Sequence, residues 1–262
     1  MTTAQVILGY YNHKNFKVRS RIVCQSPDIA QGVDTGGAGD QGIMVGYATN
    51  ETKSMMPLEY ELARQIADYV FRTTAFGPDG KCQVTIGDTG YIQAVIISAQ
   101  TKHGVLTKKM IEDLLGKRIN NFYFNPTGRF EVGGFAADTG LTGRKIAIDN
   151  YGPQVPIGGG AFSGKDASKV DRSAAYMARY LAKHYLVNNP EEKEAIVKIA
   201  YSIGIAEPVM VTVNGISNLG FAKKFDLTPS GISKFLDLKK PIFERTARRG
   251  HFGDTSFKWE QL

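Results

Sequence analysis

Glycine gathers where charge gathers, and that coincidence limits what this 262-residue chain can fold into. Of 29 glycines, many sit in four charged stretches: residues 37–42 (GAGDQG), 79–81 (DGK), 125–145 and 158–169. Glycine weakens the interior of helices and strands and suits turns where backbone must approach a ligand. Those four stretches therefore read as loops, and regular elements must come from the segments between them.

The intervening periodicity supplies them. Residues 17–24 alternate polar and apolar, as a strand with one wet face does. Leu58, Leu62, Ile66, Tyr69 and Val70 fall at helical spacing, predicting an amphipathic helix over 58–71. Strands are expected at 82–86 and 92–99, joined by the hairpin signal Gly87-Asp88-Thr89-Gly90. Helices follow at 107–115 and 169–185, with a short helical segment at 232–236. Strands are expected at 145–149, 197–203 and 208–213. Strand pairs followed by helices, with no evident linker, give an α+β fold of small sheets each covered by helices on one side.

Hydrophobic residues make up 42% of the chain and charged residues 22%, the profile of a soluble globular protein. No apolar run approaches the roughly 20 residues that cross a bilayer, and residues 1–5 (MTTAQ) lack the basic start of a signal peptide. A cytoplasmic protein without a membrane partner is expected. Cys24 and Cys82 have neither framework nor metal-ligand spacing and read as reduced thiols. The net charge of +7 asks for an anionic partner. Nucleic acid and a small polyanion both answer that charge, but the basic residues are dispersed and no base-reading module is visible.

Within the glycine-rich loops, residues 159–165 match GxxxxGK, and Asp166 then stands where a phosphate loop carries Ser or Thr. Such a turn running into a helix offers backbone N–H groups and a positive dipole to an anion. Lys165 and Lys169 add charge there, and Asp171 can reach a cation; the competing reading is a flexible turn before a surface helix. Arg144 and Lys145 can neutralise phosphate oxygens, Arg144 in bidentate fashion. Phe130 is either a stacking face for a base or a core residue. Asp138 is either a ligand for metal or ammonium or a turn aspartate. Asp40 and the pair Asp79 and Lys81 complete the set. His13, His103, His184 and His251 form no cluster by spacing, and no serine lies in a GxSxG setting.

Longer runs then carry a resemblance. Residues 37–52 (GAGDQGIMVGYATNET), 125–130 (NPTGRF), 139–145 (TGLTGRK), 158–176 (GGGAFSGKDASKVDRSAAY) and 250–253 (GHFG) resemble the methionine adenosyltransferase, or S-adenosylmethionine synthetase, family. The resemblance runs from about Val6 to the C-terminus. It implies a pseudo-threefold repeat of small helix-covered sheets, and an enzyme that displaces the triphosphate of ATP with the sulfur of methionine and then hydrolyses it. Mg²⁺ and K⁺ are the implied cofactors, ATP and methionine the substrates, with a site between two subunits of a dimer and no role for nucleic acid.

By matched motif, the resemblance implies phosphate contacts for Lys81, Arg144, Lys145 and Lys165, and a nucleotide pocket including Asp79, Arg129, Phe130, Asp138 and Ala161. Lys165, Arg144 and Asp138 would carry catalysis. Gln25, Asp40, Asp138 and Lys169 would serve methionine, and Asp171 would bind magnesium. The family's His-Pro-Asp-Lys motif is absent, since none of the four histidines precedes proline. The first repeat is therefore expected to be truncated, with a remnant at 1–35, a central domain at 36–129 and a C-terminal domain at 130–262. The expected assembly is a homodimer, or a complex with a chain donating the N-terminal segment. The alternative is a non-catalytic subunit that regulates or stabilises a complete synthetase.

Overall fold

The computed structural model of the chain describes Arg19, residues 24–218, Gly220 and residues 223–262. The expected strand at 17–24 lies almost wholly outside these residues. In chain order the first elements are α1 (Pro27–Val33), β1 (Gly42–Thr49), α2 (Leu58–Arg72), β2 (Gly80–Ile86), β3 (Ile92–Ala99), α3 (Lys108–Leu115) and β4 (Ile119–Phe124). They are followed by α4 (Ile146–Asp149), α5 (Val170–Asn188), β5 (Glu194–Tyr201), β6 (Met210–Val213), β7 (Ile216–Ser217), α6 (Pro229–Phe235) and α7 (Phe243–Arg249). The fold is α+β with two small sheets, as the periodicity predicts.

The chain forms two compact units: Pro57–Leu141, and the flanking residues up to Met56 with Thr142–Leu262. In the smaller unit β2 and β3 form an antiparallel hairpin, and β4 joins β3 in parallel after α3. Gly90, at φ +79°, takes the left-handed conformation that closes the hairpin, its N–H bonding the Gly87 carbonyl at 2.8 Å. Leu62, Ile66 and Val70 of α2 bury their stripe with Val84, Val95, Ile97 and Ile111. Thr107 caps α3 by accepting from Met110 N–H, and Gly116 ends it in the left-handed region.

In the larger unit the sheet runs β1-β5-β6-β7, all antiparallel, with α5 packed on β1 and β5. Gly46 of β1 explains how closely they meet. A Cβ there would fall into the backbone of Ala178, so strand and helix touch main chain to main chain. Ala174, Ala175, Ala178 and Ala182 of α5 are all buried and small enough to permit that approach.

Charge is buried with them. Arg179 donates from Nε and Nη2 to the two carboxylate oxygens of Glu260, each at 2.9 Å. Its remaining N–H groups reach the carbonyls of Tyr47 at 2.6 Å, Met55 at 2.9 Å and Ser54 at 2.7 Å. The five donors of the guanidinium are thereby used. The pair's side chains are 0% and 1% exposed, and Lys183 adds a bond to Glu260 at 3.0 Å.

One expected element differs. Residues 145–149 make a helical turn, α4, rather than a strand. Ile146 and Ile148 alternate like strand residues, but four residues are too few to separate the two periods, and the Asn150 side chain closes the turn by donating to the Ile146 carbonyl at 2.7 Å.

Burial alone would raise the Glu260 pKa, but Arg179, Lys183 and the Gly253 N–H outweigh it and hold it below the ordinary glutamate value. Burial, with the Arg179 charge, lowers Lys183 despite the pull of Glu260, and Arg179 is the stronger of the two cations in depressing Glu260. A carboxylate depressed in this way adds stability above its unfolded pKa of about 4.3, and the gain is lost as pH falls through the folded value. Glu260→Gln leaves two buried cations without a counter-charge, and urea titration at pH 7 is expected to show a loss of about 3–5 kcal/mol. The variant's acid-limb dependence below that pH should also flatten. An unchanged urea midpoint would contradict this role.

Candidate functional site

The start of α5 organises the larger unit's polar cluster. Lys169 occupies its N-cap position and Asp171 its first turn, where a carboxylate is favoured by the helix dipole. The loop before it folds back so that Lys165 pairs with Asp171; their side chains are 30% and 13% exposed. Gly160 is required beside them, because a Cβ there would collide with the Asp171 carboxylate. Ile43, Met44, Asn150, Gly158, Phe162 and Asp171 line a narrow cleft at this point.

This is not a phosphate-loop ATPase geometry. No strand precedes the glycines among residues 152–160, and α5 begins five positions after Lys165 rather than at it. The intervening Asp166 accepts bonds from Ser168 N and Oγ and from Lys169 Nζ at 3.0 Å. Partial burial works to raise its pKa, but those bonds and the lysine charge bring it down to about 2.

Arg172 ties the loop to the helix from beneath. It is buried, donating from Nη1 to the Lys165 carbonyl at 2.7 Å, from Nη2 to Thr246 Oγ1 at 2.7 Å and from Nε to the Tyr176 hydroxyl at 3.0 Å. Its guanidinium carbon lies 3.5 Å from the centroid of the Phe243 ring. The turn carrying Arg144 and Lys145 joins the same loop, Thr142 Oγ1 donating to the Ser163 carbonyl at 3.2 Å. Arg144 and Lys145 themselves are exposed. The structure thus gathers Arg144, Lys145, Ala161, Lys165, Lys169 and Asp171 around one loop and one helix start. Asp40 and Gln25, in the same unit, are exposed, Asp40 accepting from Gln41 N–H at 2.8 Å.

In the smaller unit Asp79 precedes β2, and its carboxylate accepts from Gly134 N–H at 2.7 Å. Gln100 Nε2 donates to the Glu131 carbonyl at 3.0 Å, and Thr101 N–H to that of Phe130 at 2.7 Å. These bonds lay residues 129–134 alongside the ends of β2 and β3. Asn125 anchors the run: its amide exchanges bonds with Ala99 N–H at 2.9 Å and Ala99 carbonyl at 3.0 Å, imitating a strand pair. Phe130 is half-buried, and Arg129 pairs with Glu131 at 3.1 Å. Lys81 is exposed on β2, while exposed Asp138 accepts from Gly140 N–H at 2.9 Å. Among the described residues, no three His, Cys, Asp or Glu side chains converge as a metal site.

Sequence spacing overlooked Arg172, Tyr176 and His251. The signal was present on α5, where Arg172, Tyr176, Arg179 and Lys183 recur at helical spacing on the face that is otherwise apolar, and all four are buried. His251 is buried too, its Nδ1 2.7 Å from the Tyr176 hydroxyl. Burial, aided by the Arg172 charge, pushes its pKa down to about 3, so the imidazole is neutral. A histidine depressed from about 6.5 favours the fold above that value. It should cost up to about 1.4 kcal/mol of stability per pH unit as the pH falls from 6.5 toward 3. Urea titrations across that range are expected to show this slope weakened in His251→Asn, and an identical slope would contradict the burial argument.

Two comparisons place this architecture. Residues 35–130 match the S-adenosylmethionine synthetase central domain, and residues 132–261 match the C-terminal domain. An S-adenosylmethionine synthase from Brachyspira hyodysenteriae (strain ATCC 49526 / WA1) is 43% identical over 291 aligned positions, which cover 93% of this chain and 73% of that protein. With both domains matched in order and at that identity, the chain belongs to the S-adenosylmethionine synthetase family.

Proposed function

We propose that this chain forms S-adenosylmethionine from ATP and methionine, with Lys165, Arg144 and Lys145 taking up the charge of the departing triphosphate. The observation that supports it is the Lys165–Asp171 pair, a cation and a carboxylate held together under a glycine-rich loop at a helix start. A polyphosphate with its metal can divide such a pair, the phosphate taking the lysine and the metal the carboxylate.

The reaction needs no nucleophilic side chain. The methionine sulfur donates its lone pair to the ribose 5′ carbon, the carbon–oxygen bond to triphosphate breaks with its electrons leaving on oxygen, and a sulfonium forms. Water then cleaves the triphosphate. The protein's task is to align sulfur with carbon and to stabilise charge on the leaving oxygens. Arg144 and Lys145 are exposed next to the Lys165 loop, which supports that reading. Lys81, Asp79, Arg129, Phe130, Asp138 and Ala161 contribute to nucleotide binding, and Gln25, Asp40, Asp138 and Lys169 to methionine.

Mg²⁺ fits the donor set through Asp171, because magnesium is commonly held by one or two carboxylates with phosphate and water oxygens completing its shell. When bound, it would neutralise phosphate charge. The reading also includes K⁺, to which no residue of this chain is assigned, and a dimeric assembly. A segment bearing His-Pro-Asp-Lys, in the same or a second polypeptide, would add to the site, since no histidine here precedes proline.

The test is product formation from ATP, methionine and Mg²⁺ by the 262-residue chain, with and without such a segment. The segment is expected to raise turnover with little change in nucleotide affinity. Lys165→Ala is expected to lower the rate by about 10²–10³-fold. An unchanged rate in Lys165→Ala would overturn the assignment.

A further inference from the structure

His251 lies at the meeting point of three segments that the proposed chemistry uses, although it carries none of the charge. Its ring packs edge-on against Phe162 of the glycine-rich loop, with centroids 4.9 Å apart, and lies nearly parallel to Tyr176 of α5. Its Nε2 is 3.4 Å from Ser163 Oγ in that loop and 3.9 Å from the carboxylate of Asp149. Asp149 closes the helical turn that follows Arg144 and Lys145.

The network favours one tautomer of the ring. Arg172 can only donate, and its Nε–H occupies the Tyr176 oxygen at 3.0 Å. The Tyr176 hydroxyl, held protonated by a pKa that burial raises to about 12, is then free to donate to His251 Nδ1 at 2.7 Å. That leaves the proton on Nε2, where Ser163 Oγ at 3.4 Å can accept it and the Asp149 carboxylate stands 3.9 Å away. The Nδ1 contact sets this tautomer, and the Ser163 hydroxyl, able to donate or accept, is compatible with it.

We propose that His251 is a positioning residue for the phosphate-binding loop, using an Nε2–H that the buried Arg172–Tyr176 pair directs toward Ser163 and Asp149. Arg172 holds the loop at the Lys165 carbonyl and His251 holds it two residues earlier, so the Lys165 ammonium is carried on a segment fixed at two points. His251 touches no reacting atom in this role. It acts through Ser163 and through the turn behind Arg144 and Lys145. The inference rests on the function proposed above.

Binding of inorganic tripolyphosphate with Mg²⁺ to the full chain tests it by a double-mutant cycle. Ser163→Ala and His251→Asn are each expected to weaken binding roughly three- to tenfold, the loss of one ordinary hydrogen bond. The double variant should be no weaker than the poorer single one. His251→Gln, whose amide N–H can stand near the Nε2 position, should recover most of the loss. Fully additive effects, or wild-type affinity in Ser163→Ala, would overturn the proposal. Nitrogen-15 spectra of the imidazole in the unaltered protein provide a check that needs no variant: protonation on Nε2 supports the assignment, and protonation on Nδ1 overturns it. Should the unaltered chain fail to bind tripolyphosphate, the function reading falls and takes this inference with it. Binding that is normal in wild type and in every His251 variant defeats the inference alone.

Discussion

The larger unit depends on one buried ion pair. Arg179 and Glu260 lie 81 residues apart in sequence and form a two-bond contact from which water is excluded. Removing two charges from water is costly, and the attraction repays that cost only when remaining donors and acceptors are matched. Here they are. The other Arg179 donors reach carbonyls at 47, 54 and 55, and Glu260 also receives Lys183 and the Gly253 N–H. One side chain thus fastens the middle of α5 to β1, to the loop after it and to the C-terminal segment.

Fixing α5 fixes the site at its other end. Arg179 lies two turns from Arg172, and a helix repeats its face at that interval. The same buried stripe that meets Glu260 continues through Tyr176 to Arg172, which holds the Lys165 carbonyl. Tyr176 stacks on Trp259 at 4.0 Å between centroids, next to Glu260 in sequence. The C-terminal segment therefore touches both the structural lock and the aromatic bed under the glycine-rich loop. The buried stripe thus both packs the unit and anchors the loop that carries Lys165, which explains why charged residues occur on a face that periodicity would leave apolar.

Much of this was legible in the sequence. The helix 58–71, the strands 82–86 and 92–99 and the helix beginning near 169 follow from apolar spacing, and the structure agrees at Leu58–Arg72, Gly80–Ile86, Ile92–Ala99 and Val170–Asn188. β1 was hidden by its own glycines. Gly42 and Gly46 resemble loop residues, yet Gly46 is present because the α5 backbone leaves no space for a side chain. β4 was hidden by Asn120 and Asn121, which interrupt the alternation. At the site, motifs singled out Lys165 and Asp171, and the fold pairs them. They could not reveal His251, because its partners at 149, 163 and 176 are brought together only by the tertiary fold. For the same reason spacing gave Asp79 no partner, although its carboxylate is bonded to Gly134 55 residues away.

In the proposed function the Lys165–Asp171 pair is divided between a polyphosphate and its metal. A crystal structure of the chain with Mg²⁺ and a non-hydrolysable ATP analogue tests it most directly. The expected result is that Lys165 leaves Asp171 for a phosphate oxygen, with magnesium at the Asp171 carboxylate and the loop still held by Arg172. A bound nucleotide whose phosphates lie elsewhere, with the Lys165–Asp171 pair intact, would contradict it.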